Sequence, residues 1–280
     1  MTTQISNDAT MLLFFVTFLY IASMSGYILY LFKQKDKIEK PALFLMGLGF
    51  LLHFLSLAIQ SFSSGTLPAN NMGQTLSMAA LALSGTFVFF RYRSKLKILG
   101  VLASPLIVFI MTAALVAPES PGKNITAIRN IWLVSHISLI FIGEAALALA
   151  CGAGILYLIQ EKSIKMKKTG FFFRRLPSLD LLDNTSYLCI VTGFTMLTFG
   201  LVTGFIYAKS AWGNFFSWDP KEIWSMATWL FYAALLHFRL VSGWTGKKSA
   251  IMTIIGFAAL LFTFLGVNLL IGGHHQVFTN

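Results

Sequence analysis

The sequence predicts an all-α polytopic membrane protein with about eight transmembrane helices and both termini outside the cytoplasm. Of its 280 residues, 56% are hydrophobic and only 11% are charged, which is far too apolar for a soluble domain. The apolar residues also gather in long runs, and a transmembrane helix needs about 20 of them. A third observation is that basic residues concentrate in every second connection between these runs.

The apolar runs follow one another along the whole chain and leave no soluble domain of useful size between them. They are residues 10–32, 42–61, 72–90, 96–117, 131–159, 186–208, 223–241 and 250–272. The first run lacks a basic region and a small-residue cleavage site, so we expect it to be retained as a helix. Residues 1–280 are therefore predicted to form one integral membrane domain.

The placement of basic residues predicts the orientation of the helices. One set of connections holds 17 of the 21 Lys and Arg residues, and the other set holds only Lys123, Arg129, Lys209 and Lys221. The positive-inside rule puts the basic set in the cytoplasm. The outside connections are then 62–71, 118–130 and 209–222, followed by the tail 273–280.

Several function classes are excluded by the same residues. The net charge of +11 is explained by topology, so nucleic-acid binding is not predicted. The cysteines, Cys151 and Cys189, form no C-x-x-C pair, which argues against a thiol–disulfide carrier. There is no glycine-rich phosphate loop, nucleophile elbow or paired-carboxylate arrangement, so hydrolase and nucleotide-driven functions have no support.

Histidines are the most informative polar residues. His136 begins the fifth apolar run near the outside, and His274 and His275 follow the last run on the same side. His53 and His237 fall within predicted helices, where ionisable groups are costly and suggest function. Each histidine could instead serve as an interhelical hydrogen-bond partner or a solvated interface residue.

Two sets of histidines at two depths suggest a metal-centred ligand. Zinc would usually need a third or fourth protein ligand, and the outer face offers few candidates. Haem iron needs only one or two axial nitrogens because the macrocycle supplies four. Haem would also require aromatic faces and basic residues for its propionates. The outside connections and the first turn of the run 223–241 offer both kinds of residue: Trp212, Phe215, Phe216, Trp218, Trp224, Lys209, Lys221 and Arg129.

The stretch 211–233 holds four of the six tryptophans and permits two interpretations. Trp residues gather at membrane–water interfaces without any ligand. The run Asp219-Pro220-Lys221-Glu222 reads as a helix start, with Asp219 as N-cap, Pro220 at N1 and Glu222 closing a capping box. The helix start does not account for the crowding of aromatic residues ahead of the cap, and an interfacial belt and a ligand surface both stay open as explanations.

Glu144 is an isolated acid in the middle of the fifth apolar run. It could pair with a histidine, carry protons or hydrogen-bond a neighbouring helix, and the sequence does not choose among these roles.

The motif "WGNFFSWDPKEIWSMATWLFYA" resembles the tryptophan-rich WWD motif of haem-handling proteins in cytochrome c biogenesis. The stretches "LPSLDLLDNTSYLCIVTGFTMLTFGLVTG", "LHFRLVSGWTGKKSA" and "FLGVNLLIGGHH" are similar to the CcsA (ResC) family, over about residues 130–276. Phe216 stands where that family often has a third Trp. The WWD loop would be about residues 209–224.

This resemblance implies transport and presentation of haem b, and its attachment to the C-x-x-C-H motif of apocytochrome c outside the cytoplasm. The protein would act as a haem-lyase component of system II with a CcsB (ResB)-like membrane protein, in a bacterial plasma membrane or a thylakoid membrane. The resemblance assigns the outer iron ligands to His136 and His275, with His274 as the neighbouring choice, and intramembrane ligands to His53 and His237. The haem platform would comprise Trp212, Phe216, Trp218, Asp219 and Trp224.

Two alternatives of other classes remain. One is a CcmC-type haem-delivery protein that loads a separate chaperone. The other is a haem-free membrane regulator or scaffold with the same fold. The order of the motifs and the count of eight helices favour the CcsA family.

Overall fold

A computed structural model of the protein describes residues 2–93, 96–117, 130–167 and 170–266. These residues are almost entirely helical and contain no β-strand, which confirms the all-α fold. The helices are α1 (Thr2–Lys33), α2 (Asp36–Ser64), α3 (Met72–Arg93), α4 (Gly100–Val116), α5 (Ile131–Lys165), α6 (Phe171–Arg175), α7 (Leu179–Trp212), α8 (Pro220–Val241) and α9 (Lys247–Leu261). A 3₁₀ turn, Lys97–Leu99, precedes α4, and a π-helical turn, Phe262–Gly266, continues α9.

Within the described ranges, seven segments are long and apolar enough to cross a membrane, and each coincides with a predicted span. The protein is thus an integral membrane protein. The eighth predicted span exists as α8, which carries the buried polar residues Thr228 and Arg239 and is not one of these seven segments. Its crossing of the membrane, and with it the outside position of both termini, stays a prediction.

Several helices extend beyond their predicted spans. At about 1.5 Å per residue, α5 and α7 reach roughly 50 Å, well beyond the ~30 Å apolar core of a bilayer. The additional turns of α5 are charged, and Lys165 donates to Glu161 at 2.7 Å one turn earlier. The start of α7 is fixed by Ser178, whose hydroxyl accepts from the Leu181 N–H. Hydropathy misses such turns because their stabilisation comes from caps and ion pairs.

The chain divides into two compact units. The first contains α1 to α4. The second contains α5 from residue 135 onward, together with α6 to α9. That residues 1–280 form a single integral membrane domain stays a prediction.

The first unit packs α1, α2 and α3 closely around polar side chains. A Cβ on Gly26 would lie 2.7 Å from the Cβ of Ala42, so α1 and α2 approach at a small-residue contact, as membrane helices commonly do. On α2, Glu39 is almost fully buried and accepts from Arg91 Nε of α3 at 2.7 Å. The ion pair satisfies a carboxylate that would otherwise be very unfavourable in this location.

The second unit packs α5 against α7 through glycines. A Cβ on Gly193 would lie 2.7 Å from Leu147, and one on Gly200 would lie 2.7 Å from Ile140. The missing side chains on α7 admit the larger side chains of α5. This close approach also brings the α7 backbone within hydrogen-bonding distance of α5 side chains.

One ion pair joins the ends of three helices in the second unit. Arg239, near the end of α8, bonds both carboxylate oxygens of Asp183 on α7, and its Nη1 donates to Ser249 of α9 at 2.6 Å. The Gly246 N–H, just ahead of α9, also donates to Asp183 at 3.1 Å. The sequence interpretation missed this cluster, although an arginine within an apolar run was a usable signal.

Candidate functional site

The turn between α7 and α8 carries the crowded aromatic residues. Because α7 continues to Trp212, only residues 213–219 form a loop, shorter than the predicted 209–222. Gly213 ends α7 with a φ of 81°, a left-handed value that glycine adopts without a Cβ clash. Its N–H bonds the Lys209 carbonyl at 3.1 Å, and Lys209 Nζ donates to the Gly213 carbonyl at 2.8 Å. The turn is therefore tightly defined.

The predicted start of α8 is confirmed. Asp219 is the N-cap and accepts from the Lys221 N–H at 2.9 Å, Pro220 is the first helical residue, and the capping box with Glu222 is complete. Glu222 also accepts from the Ser217 N–H at 2.7 Å, which extends the cap two residues further back into the loop. The buried Asp219 thus has a structural role that requires no ligand.

Trp218 is held in an unusual backbone conformation. Its φ is 57°, in the left-handed region that a bulky residue rarely adopts, and its side chain is 77% exposed. Such a conformation costs about 1–3 kcal/mol and persists only where neighbouring contacts determine it. Here the N–H groups of both flanking residues, Ser217 and Asp219, donate to the Glu222 carboxylate. The α8 cap therefore holds Trp218 in a conformation that exposes its indole.

The other aromatic residues divide into supported and exposed groups. Phe216 is half-buried, with its ring edge-on to Phe205 of α7 at 6.0 Å and to Trp218 at 5.2 Å between centroids. Trp224 packs edge-on against Phe262 at 4.7 Å, and Phe215 is 57% exposed. Phe216 therefore links the loop to α7, so a third Trp is not needed at this position to support Trp218.

His136 is oriented by α7. Its Nδ1 lies 2.7 Å from the Gly200 carbonyl oxygen, and because a carbonyl can only accept, Nδ1 carries the proton. The lone pair of the neutral ring is then on Nε2, the tautomer suited to binding a metal. Gly204 makes room for the ring, since a Cβ there would lie 2.6 Å from Nδ1. The sequence named His136 but not these two glycines.

One turn of α7 connects His136 to the aromatic loop. Gly204 contacts the imidazole, and the next residue, Phe205, contacts Phe216. The histidine and the loop thus share a rigid helical support within one unit. Lys209, one turn further along α7, places its ammonium 5.5 Å from the Phe215 ring centroid. This part of α7 therefore contacts the imidazole of His136 and the ring of Phe216, and it also carries the Lys209 ammonium.

His53 belongs to the first unit and is fully buried there. Its Nε2 lies 2.8 Å from the Ser77 hydroxyl, and its Nδ1 lies 3.2 Å from the Tyr20 hydroxyl, which in turn lies 3.0 Å from Ser84. Ser84 donates to the Leu81 carbonyl, so the consistent direction runs from Ser77 through His53 and Tyr20 to Ser84. Binding iron at His53 would require one of these hydrogen bonds to break.

His237 lies near the end of α8, in the second unit, and is exposed. Its ring is 6.0 Å from that of Phe238, which stacks on Trp244 at 4.6 Å and an interplanar angle of 17°. Lys248 lies 5.7 Å from the Trp244 ring centroid. An imidazole, a flat aromatic pair and a cation therefore occur together at this end of α8 as well.

Other predicted residues lie outside the described ranges. These are His274, His275 and Arg129, so the proposed pairing of His136 with a second outer histidine stays a prediction. The groups of His, Cys, Asp and Glu in the described part include no cluster of three that could hold a metal ion. Both cysteines are free and buried, as expected for structural residues.

Lys221 is partly buried at the start of α8. Burial lowers the pKa of its ammonium, and the nearby charges of Glu144 and Asp219 oppose that shift. Lys221 is therefore engaged with acids of the second unit rather than displayed with Lys209.

The chain is similar to known proteins of one family. The model of the cytochrome c assembly protein family matches residues 42–275. The cytochrome c biogenesis protein CcsA of Chlorella vulgaris is 32% identical, over 97% of this chain and 95% of that protein. The CcsA proteins of Guillardia theta and Prochlorococcus marinus strain MIT 9312 are each 33% identical, covering 76% and 81% of this chain and 77% and 81% of their own lengths.

A solved structure shares the fold. The cytochrome c haem lyase CcmF superposes with a TM-score of 0.66 at 16% identity, covering 92% of this chain. This chain spans 46% of that protein's length. The likeness concerns the helical architecture alone.

Proposed function

Because the chain belongs to the cytochrome c assembly protein family, in its CcsA branch, we propose that it presents haem b for attachment to apocytochrome c. Its substrates would be haem and an apocytochrome with a C-x-x-C-H motif. It would work beside a CcsB-like membrane protein as a haem-lyase component, with the α7–α8 loop on the non-cytoplasmic side of a bacterial plasma membrane or a thylakoid membrane.

The observation that carries this proposal is the hydrogen bond from His136 Nδ1 to the Gly200 carbonyl, at 2.7 Å. It fixes the ring orientation and the tautomer, and a metal-binding histidine commonly donates its other ring N–H to a carbonyl in this way. The ring also packs directly against Gly204, where any side chain would clash with it. A histidine that served only as an interfacial side chain would not require this close contact.

The residues of the loop suit the remaining surface of haem. Trp218 and Phe215 expose aromatic faces, on which an apolar macrocycle can stack. Lys209 stands beside Phe215, where an ammonium can pair with a propionate. Phe216 and the α8 cap hold this surface in place. The second axial ligand would be His275, with His274 as the neighbouring choice.

The work of the protein is then positioning. Each cysteine thiol of the apocytochrome would add across a haem vinyl group: the S–H bond and the vinyl π bond break, one C–S bond and one C–H bond form, and no atom is lost. His136 would hold the iron while Trp218 orients the ring, so that the vinyl edge faces the incoming thiols. Fixed geometry of this kind can supply a large part of the rate enhancement without an acid or base from the chain.

Haem would reach the outer site from histidines within the membrane. His237 has the surroundings for this role, because it is exposed beside the Phe238–Trp244 stack and near Lys248. His53 would take part only after releasing Ser77 or Tyr20. We therefore propose the roles of His53 and His237 in haem loading separately, one for the first unit and one for the second.

The test is covalent haem attachment to a reporter apocytochrome, co-expressed with this chain and a CcsB-like partner. We expect His136→Ala to lower reporter haem at least tenfold. A matched control is Ser210→Ala. Ser210 lies near the end of α7 that precedes the aromatic loop, and its hydroxyl donates to the Tyr207 carbonyl of its own helix. Wild-type attachment by His136→Ala, with Ser210→Ala also unaffected, would overturn the assignment.

A further inference from the structure

A small cavity of about 40 Å³ lies in the second unit, among α5, α7, α8 and the end of α9. Its polar lining residues are Glu144, Ser225, Thr228, Trp229 and Thr263, and its apolar lining residues are Ile140, Leu197, Leu201 and Leu260. A water molecule needs roughly 10–15 Å³ of such volume and two to four polar partners. The cavity satisfies both requirements.

Glu144 is the acid in this cavity, and within the described ranges no hydrogen bond or ion pair reaches its carboxylate. The Trp229 indole cannot serve it, because its N–H already donates to Thr198 at 2.9 Å. A carboxylate in apolar surroundings is strongly unfavourable unless it is paired or neutralised. The charged form of Glu144 is attracted by Lys221 of α8 but accepts no hydrogen bond from the described residues.

The two threonines of the cavity present lone pairs. Thr263 donates to the Ala259 carbonyl at 3.0 Å, so at the 3.0 Å contact with Thr228 the Thr263 oxygen is the acceptor. Both hydroxyl protons are thereby used, and the remaining capacity of the two oxygens is to accept. Such a lining suits a proton donor in the cavity, either a water molecule or a protonated carboxyl, better than it suits a carboxylate.

The charges that face Glu144 come from one helix. Lys221 of α8 lies within electrostatic reach and is itself influenced by Asp219. The lining residues from α7 and from the end of α9 are hydroxyl-bearing or apolar. A single cation at one end leaves the cavity without a fixed ion pair, so the carboxyl can change its protonation state.

We propose that Glu144 and this cavity form a proton-binding site, in which the carboxyl exchanges its proton with a water molecule held by Ser225 and Thr228. In the exchange, the carboxyl O–H bond breaks and the proton moves to the water oxygen, and uptake is the reverse. No oxidant or reductant takes part. This inference goes beyond the proposed haem function and does not depend on it.

The test is infrared difference spectroscopy of the purified, haem-free protein in lipid nanodiscs, recorded across a pH titration in H₂O and D₂O. We expect a protonated-carboxyl band that shifts on deuteration and is at least fivefold weaker in Glu144→Gln. Glu161→Gln is the matched control, because Glu161 lies on the same helix but is bonded to Lys165. It should keep the full band.

A second variant, Glu144→Asp, distinguishes loss of the carboxyl group from misfolding of the protein. Glu144→Asp keeps a carboxyl but shortens its reach, so the band should move in frequency and retain its intensity. Persistence of the wild-type band in Glu144→Gln would overturn the proposal. So would loss of the band on adding Na⁺ at fixed pH, which would assign the cavity to a cation. Haem attachment is not measured here, so failure of this proposal and failure of the haem function are distinguishable.

Discussion

The Nδ1 of His136 donates to the carbonyl oxygen of Gly200, a residue 64 positions away on the neighbouring helix, at 2.7 Å. Gly200 is also one turn before Gly204, which makes room for the same ring. The orientation of the imidazole is therefore a property of the α5–α7 packing, rather than of its own helix. Substitutions on α7 should change the behaviour of a histidine on α5.

Gly204→Ala is the direct test of this coupling. The new Cβ would lie 2.6 Å from Nδ1 and 2.7 Å from Cε1 of His136, so the ring has to move. We expect haem attachment to the reporter to fall about tenfold while the thermal midpoint changes little, because alanine favours a helix over glycine by about 1 kcal/mol. Gly47→Ala on α2 is the control, since its Cβ would meet no atom within 4 Å. Unchanged attachment by Gly204→Ala would mean that His136 is not held in the way described.

Trp218→Gly separates backbone strain from binding. Glycine accepts the φ of 57° without a Cβ clash, and little burial is lost because the indole is 77% exposed. We expect thermal stability to stay equal or rise, while haem attachment falls several-fold. Trp218→Ala keeps the unfavourable conformation and should be less stable than the glycine variant by about 1 kcal/mol. Full attachment by both variants would remove Trp218 from the haem surface.

The sequence alone predicts the structural features that depend on residues close together along the chain, such as apolar spans and helix caps. Seven spans follow from long apolar runs, and the α8 cap follows from the spacing of Asp219, Pro220 and Glu222. Helix ends extend further than predicted where side chains cap or pair. Hydropathy responds to composition and does not register these local bonds.

Contacts between distant residues could not be predicted in the same way. Arg239 meets Asp183 across 56 positions, and His136 meets Gly200 across 64. Such pairs depend on how helices cross, which periodicity does not specify. The left-handed φ of Trp218 was also beyond prediction, because it results from Glu222 bonding the N–H groups of both residues that flank Trp218.

Tyr20→Phe tests the buried chain of hydroxyls around His53. The Tyr20 oxygen accepts from Nδ1 of His53, so its loss leaves a buried N–H without an acceptor, at a cost of about 1–3 kcal/mol. We expect a clear drop in the free energy of unfolding in detergent. Tyr27→Phe is the matched control on the same helix, because its buried hydroxyl has no hydrogen-bond partner among the described residues. Equal effects of the two substitutions would contradict the hydrogen-bond chain.

Arg239→Met should destabilise the protein more than any surface change. It leaves Asp183 without its guanidinium, and removing one partner of a buried pair costs about 3–5 kcal/mol. Asp183 would keep only the Gly246 N–H at 3.1 Å, and Ser249 would lose its donor.

The double variant Asp183→Leu with Arg239→Met should recover part of the loss, because no unpaired charge remains. Lys165→Met, which breaks the more exposed pair with Glu161, should cost at most about 1 kcal/mol. Thermal and denaturant unfolding in the same detergent measure all three, and a small effect of Arg239→Met would mean that water replaces the guanidinium at this end of the unit.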